Sequence, residues 1–285
     1  EYDSAKKEKF QFNQPSDMFA PHFVVMVKEY LVTRYGEDMV ENGGLNVITT
    51  LDTKLQEMAS ASVSKYAGIN TEKYKANNAA LVAEDPRTGQ ILAMVGSKNY
   101  FGKSEPGGCT PGSTGNNSCK FEGNFNVALG FRQPGSSFKP FAYAEAFIKG
   151  FADSTILFDL PTEFNPNCDS SAVQQKDPNG QDCYNPQNYD GLFRGPVTMR
   201  QALGQSLNVP SVQVLYLAGI DGTIDLAHKM GITTLNDRSR YGLSLVLGGG
   251  EVRLIDMVAS YGVFANDGIK VPQTFIQKVS TGDGT

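Results

Sequence analysis

Apolar positions between residues 23 and 35 (FVVMVKEYLVTRY) recur with helical spacing, and Gly36 offers a left-handed stop after them. Residues 1–20 are polar and irregular, with Pro15 and Pro21 breaking any period. Beyond Gly43-Gly44, residues 45–51 (LNVITTL) alternate as a strand does. Thr53 and Gln56 stand in capping-box register, which predicts a helix to about Tyr66 with Leu55, Met58, Ala59, Val63 and Tyr66 facing inward. A hairpin follows. Residues 79–84 (AALVAE) and 90–95 (QILAMV) flank Asp85-Pro86-Arg87-Thr88-Gly89, where the proline presets φ and the glycine takes the left-handed position. Residues 102–124 form a loop rich in Gly, Ser and Asn, without a core-forming pattern.

The second half reads mostly as helices. Residues 136–149 predict a helix closed by Gly150. Residues 159–196 are a long irregular stretch rich in Pro, Asn and Asp, and loops of that length are usually functional or cover something. Thr198 with Gln201 starts a capped helix interrupted at Ser206-Leu207-Asn208. Pro210 suits the first turn of a further helix over 211–218. A short helix over 223–230 and a longer one over 252–266 complete the series, with Leu247-Gly248-Gly249-Gly250 as a tight turn between them. With 30 Gly, 14 Pro and no Trp, the composition suggests a loop-rich α/β protein.

Composition limits what such a chain does. Its 285 residues are 40% hydrophobic and 19% charged, enough to bury the core of one large domain or two small ones. Lys plus Arg number 25 against 30 Asp plus Glu, and no basic run occurs, so nucleic acid is not an expected partner. No stretch of about 18 apolar residues is present. The first residue is Glu and no signal peptide precedes it, so a piece of a longer protein is expected. The four cysteines lie in Gly/Pro/Asn-rich stretches, with no CxxC, which disfavours a zinc site. Local disulfides Cys109–Cys119 and Cys168–Cys183, implying an oxidising compartment, are the economical pairing, against four free thiols. His22 reads as a surface side chain, and His228 as a cation near a helix C-terminus.

The chemistry centres on Pro134-Gly135-Ser136-Ser137-Phe138-Lys139-Pro140. Ser136 and Lys139 are three apart at a helix start and share a face. A serine there has backbone N–H groups and the positive end of the helix dipole beside it, which favours negative charge on a bound carbonyl oxygen. A desolvated lysine on the same face is neutral enough to take the serine proton. The bland alternative is a helix-start serine followed by a solvated lysine. Ser206-Leu207-Asn208, between two helices, points a hydroxyl and a carboxamide outward for proton relay and amide binding. Its bland alternative is an ordinary helix end and turn.

Taken together, PGSSFKP and the downstream SLN resemble the active-site motifs of penicillin-binding protein transpeptidases. Further blocks resemble that family in its order. They are residues 43–56 (GGLNVITTLDTKLQ), 83–96 (AEDPRTGQILAMVG), 125–147 (FNVALGFRQPGSSFKPFAYAEAF), 199–214 (MRQALGQSLNVPSVQV) and 241–268 (YGLSLVLGGGEVRLIDMVASYGVFANDG). Residues 20–36 (APHFVVMVKEYLVTRYG) resemble the linker between the glycosyltransferase and transpeptidase domains of class A, bifunctional members.

The resemblance implies an α/β fold of the α+β type, penicillin-binding protein/serine β-lactamase-like, here incomplete: the first hairpin and most of the helical subdomain, without the later sheet strands. Residues 1–44 would be a linker after a glycosyltransferase domain, and 45–285 a transpeptidase domain cut before its Lys-Thr-Gly motif, which occurs nowhere in the sequence. By resemblance Ser136 is the acylated nucleophile, Lys139 its proton acceptor, Ser206 a proton relay and Asn208 a substrate-binding amide. The oxyanion would rest on the backbone N–H of Ser136 and one from the missing strand.

The implied function is cross-linking of peptidoglycan stem peptides ending in D-Ala-D-Ala, through a serine acyl-enzyme that β-lactams trap. No cofactor or metal is implied. The setting would be the outer face of the cell membrane, with a membrane anchor upstream. A D,D-carboxypeptidase or β-lactamase uses the same serine, and a non-catalytic penicillin sensor or structural domain is the reading of another class. Residues 1–285 alone are expected to be inactive, with the hairpin left with an open edge and an uncovered apolar face.

Overall fold

The computed structural model describes residues 18–169 and 175–281. The polar lead-in at 1–17, the stretch 170–174 of the long loop and the final run 282–285 lie outside them. In chain order the elements are α1 Pro21–Tyr35, α2 Glu37–Asn42, β1 Asn46–Thr49, α3 Thr53–Tyr74, β2 Leu81–Asp85, β3 Gln90–Val95 and β4 Phe131–Arg132. Next come a 3-10 turn Gly135–Phe138, α4 Lys139–Ile148, β5 Ile156–Asp159, β6 Gly195–Thr198, α5 Met199–Gly204 and α6 Asn208–Ala218. The series closes with α7 Ile220–Met230, β7 Val252–Arg253, α8 Leu254–Ala265 and β8 Ile276–Ser280. The mixed α/β content is as expected. The elements fall into two compact units, residues 18–129 with 273–281, and Gly130–Pro272.

The first unit is built on the β2–β3 hairpin, antiparallel with Leu81 opposite Val95 and a bulge at Ala83/Glu84. Its apolar face is covered, contrary to expectation: Ala59 and Val63 of α3 pack on Ala93 and Val95, with Leu81 and Ala83 beside them. The register of α3 also differs from the one read above. Asp52, in extended backbone, caps the helix by accepting from Leu55 N at 2.9 Å, so Thr53 is already inside it. The inward stripe is Gln56, Ala59, Val63 and Ala67, while Met58 and Tyr66 are exposed and the helix runs on to Tyr74.

Gln56 takes a core position because it replaces a neighbouring strand. Its Nε2 donates to Met94 O at 3.1 Å, and its Oε1 accepts from Met94 N at 2.8 Å. Along the same outer edge of β3, Ile91 N donates to Thr274 O, Thr50 Oγ1 donates to Ile91 O, and Asp52 N donates to Leu92 O. The edge is therefore occupied. His22 extends this pattern and is buried, not at the surface. Gly96 N donates to its Nδ1 at 3.3 Å, so the ring carries its proton on Nε2 and donates it to Gly123 O at 3.2 Å. Burial holds its pKa below the ordinary histidine value.

β1 pairs antiparallel with β8, Asn46 opposite Ser280, in a strand that the sequence reading did not contain. The loop at 102–124 is tied by the Cys109–Cys119 disulfide and buries Phe121, over which Lys98 Nζ lies at 4.3 Å from the ring centroid.

The second unit is helical around α4 and α6. Phe138, Phe141, Tyr143, Val212 and Leu215 are wholly or almost wholly buried in its core. The capping box at Thr198 and Gln201 is present as read, and β6, which runs into it, pairs with β5. Several boundaries move: α4 starts only at Lys139, after the 3-10 turn, and α7 already at Ile220. α6 starts at Asn208, so Pro210 falls inside its first turn. Residues 252–253 are not helical, because they pair with Phe131–Arg132 ahead of the 3-10 turn, and α8 starts only at Leu254. His228, at the end of α7, bonds Thr234 O through Nε2.

Substituting Gln56→Leu keeps the bulk but strands the N–H and C=O of Met94. Chemical denaturation is expected to show a loss of about 1–3 kcal/mol, and an unchanged midpoint would mean that the carboxamide does not serve the edge.

Candidate active site

Gly135, at φ 59°, turns the chain into the 3-10 turn that carries Ser136. Phe138, wholly buried with its ring 5.0 Å from Phe141, anchors this turn to the core. Ser136 is exposed. Its neighbour Ser137 is engaged, its Oγ donating to Pro134 O at 2.6 Å while Tyr261 Oη donates to its carbonyl at 2.7 Å. The close approach of residues 247–249 completes the support. A methyl group at Gly248, itself at φ 91°, would lie 2.2 Å from Gly135 N.

Lys139 opens α4 and is 1% exposed. Its Nζ donates to Ser206 O at 2.6 Å, Asn208 Oδ1 at 2.8 Å and Ser206 Oγ at 3.1 Å. Those three acceptors match the three N–H groups of an ammonium. Burial nevertheless pushes the lysine pKa down to about 8, within reach of neutral conditions. One turn along the helix, Tyr143 Oη meets Ser211 Oγ at 3.1 Å, and burial raises its pKa to about 12, so it stays neutral.

The partner loop is held as firmly. α5 ends at Gly204, and Ser206 adopts φ 53°, an uncommon conformation for a residue with a side chain. This turn aims both its carbonyl and its hydroxyl at Lys139. Leu207 is buried, with its N–H on Ala202 O and its carbonyl accepting from Ser211 Oγ. Asn208 donates its backbone N–H to Asn188 Oδ1 at 2.8 Å and its Nδ2 to Gln187 O at 2.7 Å, which leaves Oδ1 facing the lysine.

Of the four residues picked from sequence, Lys139, Ser206 and Asn208 thus meet directly. Ser136 stands on the turn immediately before Lys139, with no hydrogen bond from its Oγ to the described residues. Gln187 and Asn188 were missed individually. The only signal for them was the length of the loop at 159–196, which the Cys168–Cys183 disulfide ties across. A polar cavity of about 600 Å³ is lined by Gln133, Leu235, Arg240, Tyr241 and Glu251 among others, but by none of the four.

Residues 79–283 match the penicillin binding protein transpeptidase domain. The chain belongs to that family. It is 31% identical over 274 residues to penicillin-binding protein 2D of Bacillus subtilis, covering 95% of this chain and 34% of the relative. It is 32% identical over 206 residues to penicillin-binding protein 1A of Neisseria meningitidis, covering 72% of this chain and 22% of the relative. The chain thus spans between a fifth and about a third of these relatives' length. Among solved structures, the penicillin-binding protein PonA1 of Mycobacterium tuberculosis superposes with a TM-score of 0.70 at 25% identity, covering 93% of this chain and 62% of that one. Penicillin-binding protein 1A of Haemophilus influenzae, at 22% identity, shares the fold with a TM-score of 0.71, covering all of this chain and 52% of that one.

The contact at Gly248 is testable against Gly150, which has a similar φ of 95° but no atom within 4 Å of an added methyl. Gly150→Ala is expected to lose about 1–2 kcal/mol from backbone conformation alone, and Gly248→Ala a further ~1–3 kcal/mol from overpacking. Equal unfolding midpoints for the two variants would remove the close approach.

Proposed function

We propose that this chain carries the D,D-transpeptidase chemistry of a cell-wall synthase, with Ser136 as nucleophile. The observation that supports it most is the buried Lys139, held on Ser206 and Asn208 and three residues after an exposed serine. Ser136 Oγ attacks the carbonyl of a D-Ala-D-Ala terminus while Lys139, in its neutral form, takes the hydroxyl proton. A neutral amine has two N–H groups and one lone pair, so the N–H groups stay on Ser206 O and Asn208 Oδ1 while the lone pair takes the Ser136 proton, and the ammonium so formed donates to Ser206 Oγ, 3.1 Å away. Ser206 is thereby placed to relay the proton to the departing D-alanine. An amine of a second stem peptide then attacks the ester, its proton passes to the once more neutral Lys139, and Lys139 returns a proton to Ser136 Oγ as the ester C–O bond breaks. Asn208 offers its carboxamide to the substrate peptide. The backbone N–H of Ser136 serves the oxyanion.

The activity is proposed for the full-length protein, since no Lys-Thr-Gly or Lys-Ser-Gly occurs in these residues and residues 1–285 alone are expected to acylate poorly. By resemblance to class A members, the full-length protein also carries a glycosyltransferase domain and a membrane anchor. Two formed disulfides support an extracytoplasmic, oxidising location. β-Lactams are the expected covalent inhibitors. PonA1, a relative in fold, is known in complex with penicillin V. A slow deacylation rate separates this reading from a β-lactamase or carboxypeptidase, and any acylation separates it from an inert structural domain.

Labelled penicillin is expected to modify Ser136 in the full-length protein, and peptide mapping to Ser137 or Ser206 would overturn the assignment. Lys139→Arg is expected to abolish labelling, because a guanidinium stays protonated and accepts no proton. In the unsubstituted protein the acylation rate should rise with pH through about 8, as Lys139 loses its proton, and level off above. A flat profile from pH 6 to 10 would mean that another group is the base.

A further inference from the structure

Behind Asn208 lies a second row of polar groups that does not reach the nucleophile turn. Asp159, the last residue of β5, is fully buried. Its Oδ1 and Oδ2 accept from Asn188 Nδ2 at 2.8 and 2.9 Å, and Oδ2 also accepts from Arg194 N at 3.0 Å. Asn188, 5% exposed, donates from the same nitrogen to Leu192 O at 2.8 Å. The amide end of Asn188 therefore faces a carboxylate and a carbonyl, both acceptors. A flip would set oxygen against oxygen, so its own Oδ1 has to point at Asn208 N, where it accepts at 2.8 Å.

The constraint passes one residue further. With Asn188 fixed, the carbonyl of Gln187 is presented to Asn208 Nδ2, and the Asn208 carboxamide in turn has one orientation. That orientation places an acceptor, not a donor, against Lys139 Nζ at 2.8 Å. In the opposite orientation the Asn208 NH2 would face the lysine, and the Gln187 carbonyl would face an oxygen. We propose that Asp159 and Asn188 are positioning residues for acyl transfer, acting through Asn208 to set the direction of its carboxamide at Lys139. They touch neither substrate nor the reacting serine. The inference rests on Lys139 being the base of the reaction proposed above.

The experiment is a double-mutant cycle in the full-length protein, following the rate of labelling by penicillin. Asn188→Ala changes no charge, and is expected to slow acylation about 100-fold, the scale of a misplacement near 1 Å. Asp159→Asn keeps one oxygen for Asn188 and is expected to slow it less, and Asp159→Leu as much as Asn188→Ala. On an Asn208→Ala background each substitution should change the rate by less than about twofold, since the group through which they act is gone.

The pH midpoint of acylation should also drop in Asn188→Ala, because only the two Ser206 oxygens then favour the ammonium of Lys139. Tyr143, the nearest ionisable side chain on the same helix, stays neutral throughout. Equal slowing on both backgrounds, an unmoved pH midpoint, or an unchanged rate in Asn188→Ala would overturn the proposal. So would failure of both Asn188→Ala and Asp159→Asn to fold by thermal melting, which would make the pair structural. No labelling of Ser136 in the unsubstituted protein would instead overturn the reading of the site.

Discussion

A lysine cannot be taken out of water unless its nitrogen finds acceptors, and in this chain that requirement organises the second unit. Lys139 is almost wholly buried, and its acceptors come from a loop 67 to 69 residues further along. To supply them the loop gives up regular geometry: α5 stops, Ser206 takes a left-handed backbone and α6 restarts at Asn208. The aromatic core beneath, Phe138 on Phe141, fixes where the lysine begins. Burial lowers the pKa of the side chain to about 8, and the three oxygens give its N–H groups partners in place of water. A fully solvated lysine would stay charged, and one buried without acceptors would be too costly to keep.

Much of this was legible because it is local. The spacing of Ser136 and Lys139 on one turn, the capping box at Thr198 and Gln201, the Pro-Gly hairpin turn and the two short-range disulfides all depend on residues within about fifteen positions of each other. The family resemblance then joined PGSSFKP to SLN across a gap that no local rule bridges. The errors share the opposite property. Gln56 looked like half of a capping box, yet its carboxamide was needed by Met94, 38 residues on, and Asp52 supplied the cap instead. His22 looked like a surface residue until the backbone of Gly96 and Gly123 claimed both ring nitrogens. Val252 and Arg253 looked like a helix start, but pair with Phe131 and Arg132.

The long loop between β5 and β6 shows the same division. Its composition announced irregular backbone and its length announced a purpose, but nothing in the string Asn185-Pro186-Gln187-Asn188 distinguishes the asparagine that meets Asp159 from the others nearby. That distinction arises only when β5 and β6 pair and bring the two ends of the loop together. The polar groups of such a loop are legible as a set, and become individually meaningful through contacts made elsewhere in the chain.

The occupied edge of β3 has a directional consequence. A two-stranded sheet ordinarily grows from either side, since both outer rows of N–H and C=O groups are open templates. Here one row is closed by the Gln56 carboxamide, Thr50, Asp52 and Thr274. Any additional strand, whether from the same polypeptide or another, is thus steered to the other flank of β2, on which no strand of the described residues pairs. A helix glutamine and three loop residues together give the hairpin a polarity that its own backbone lacks.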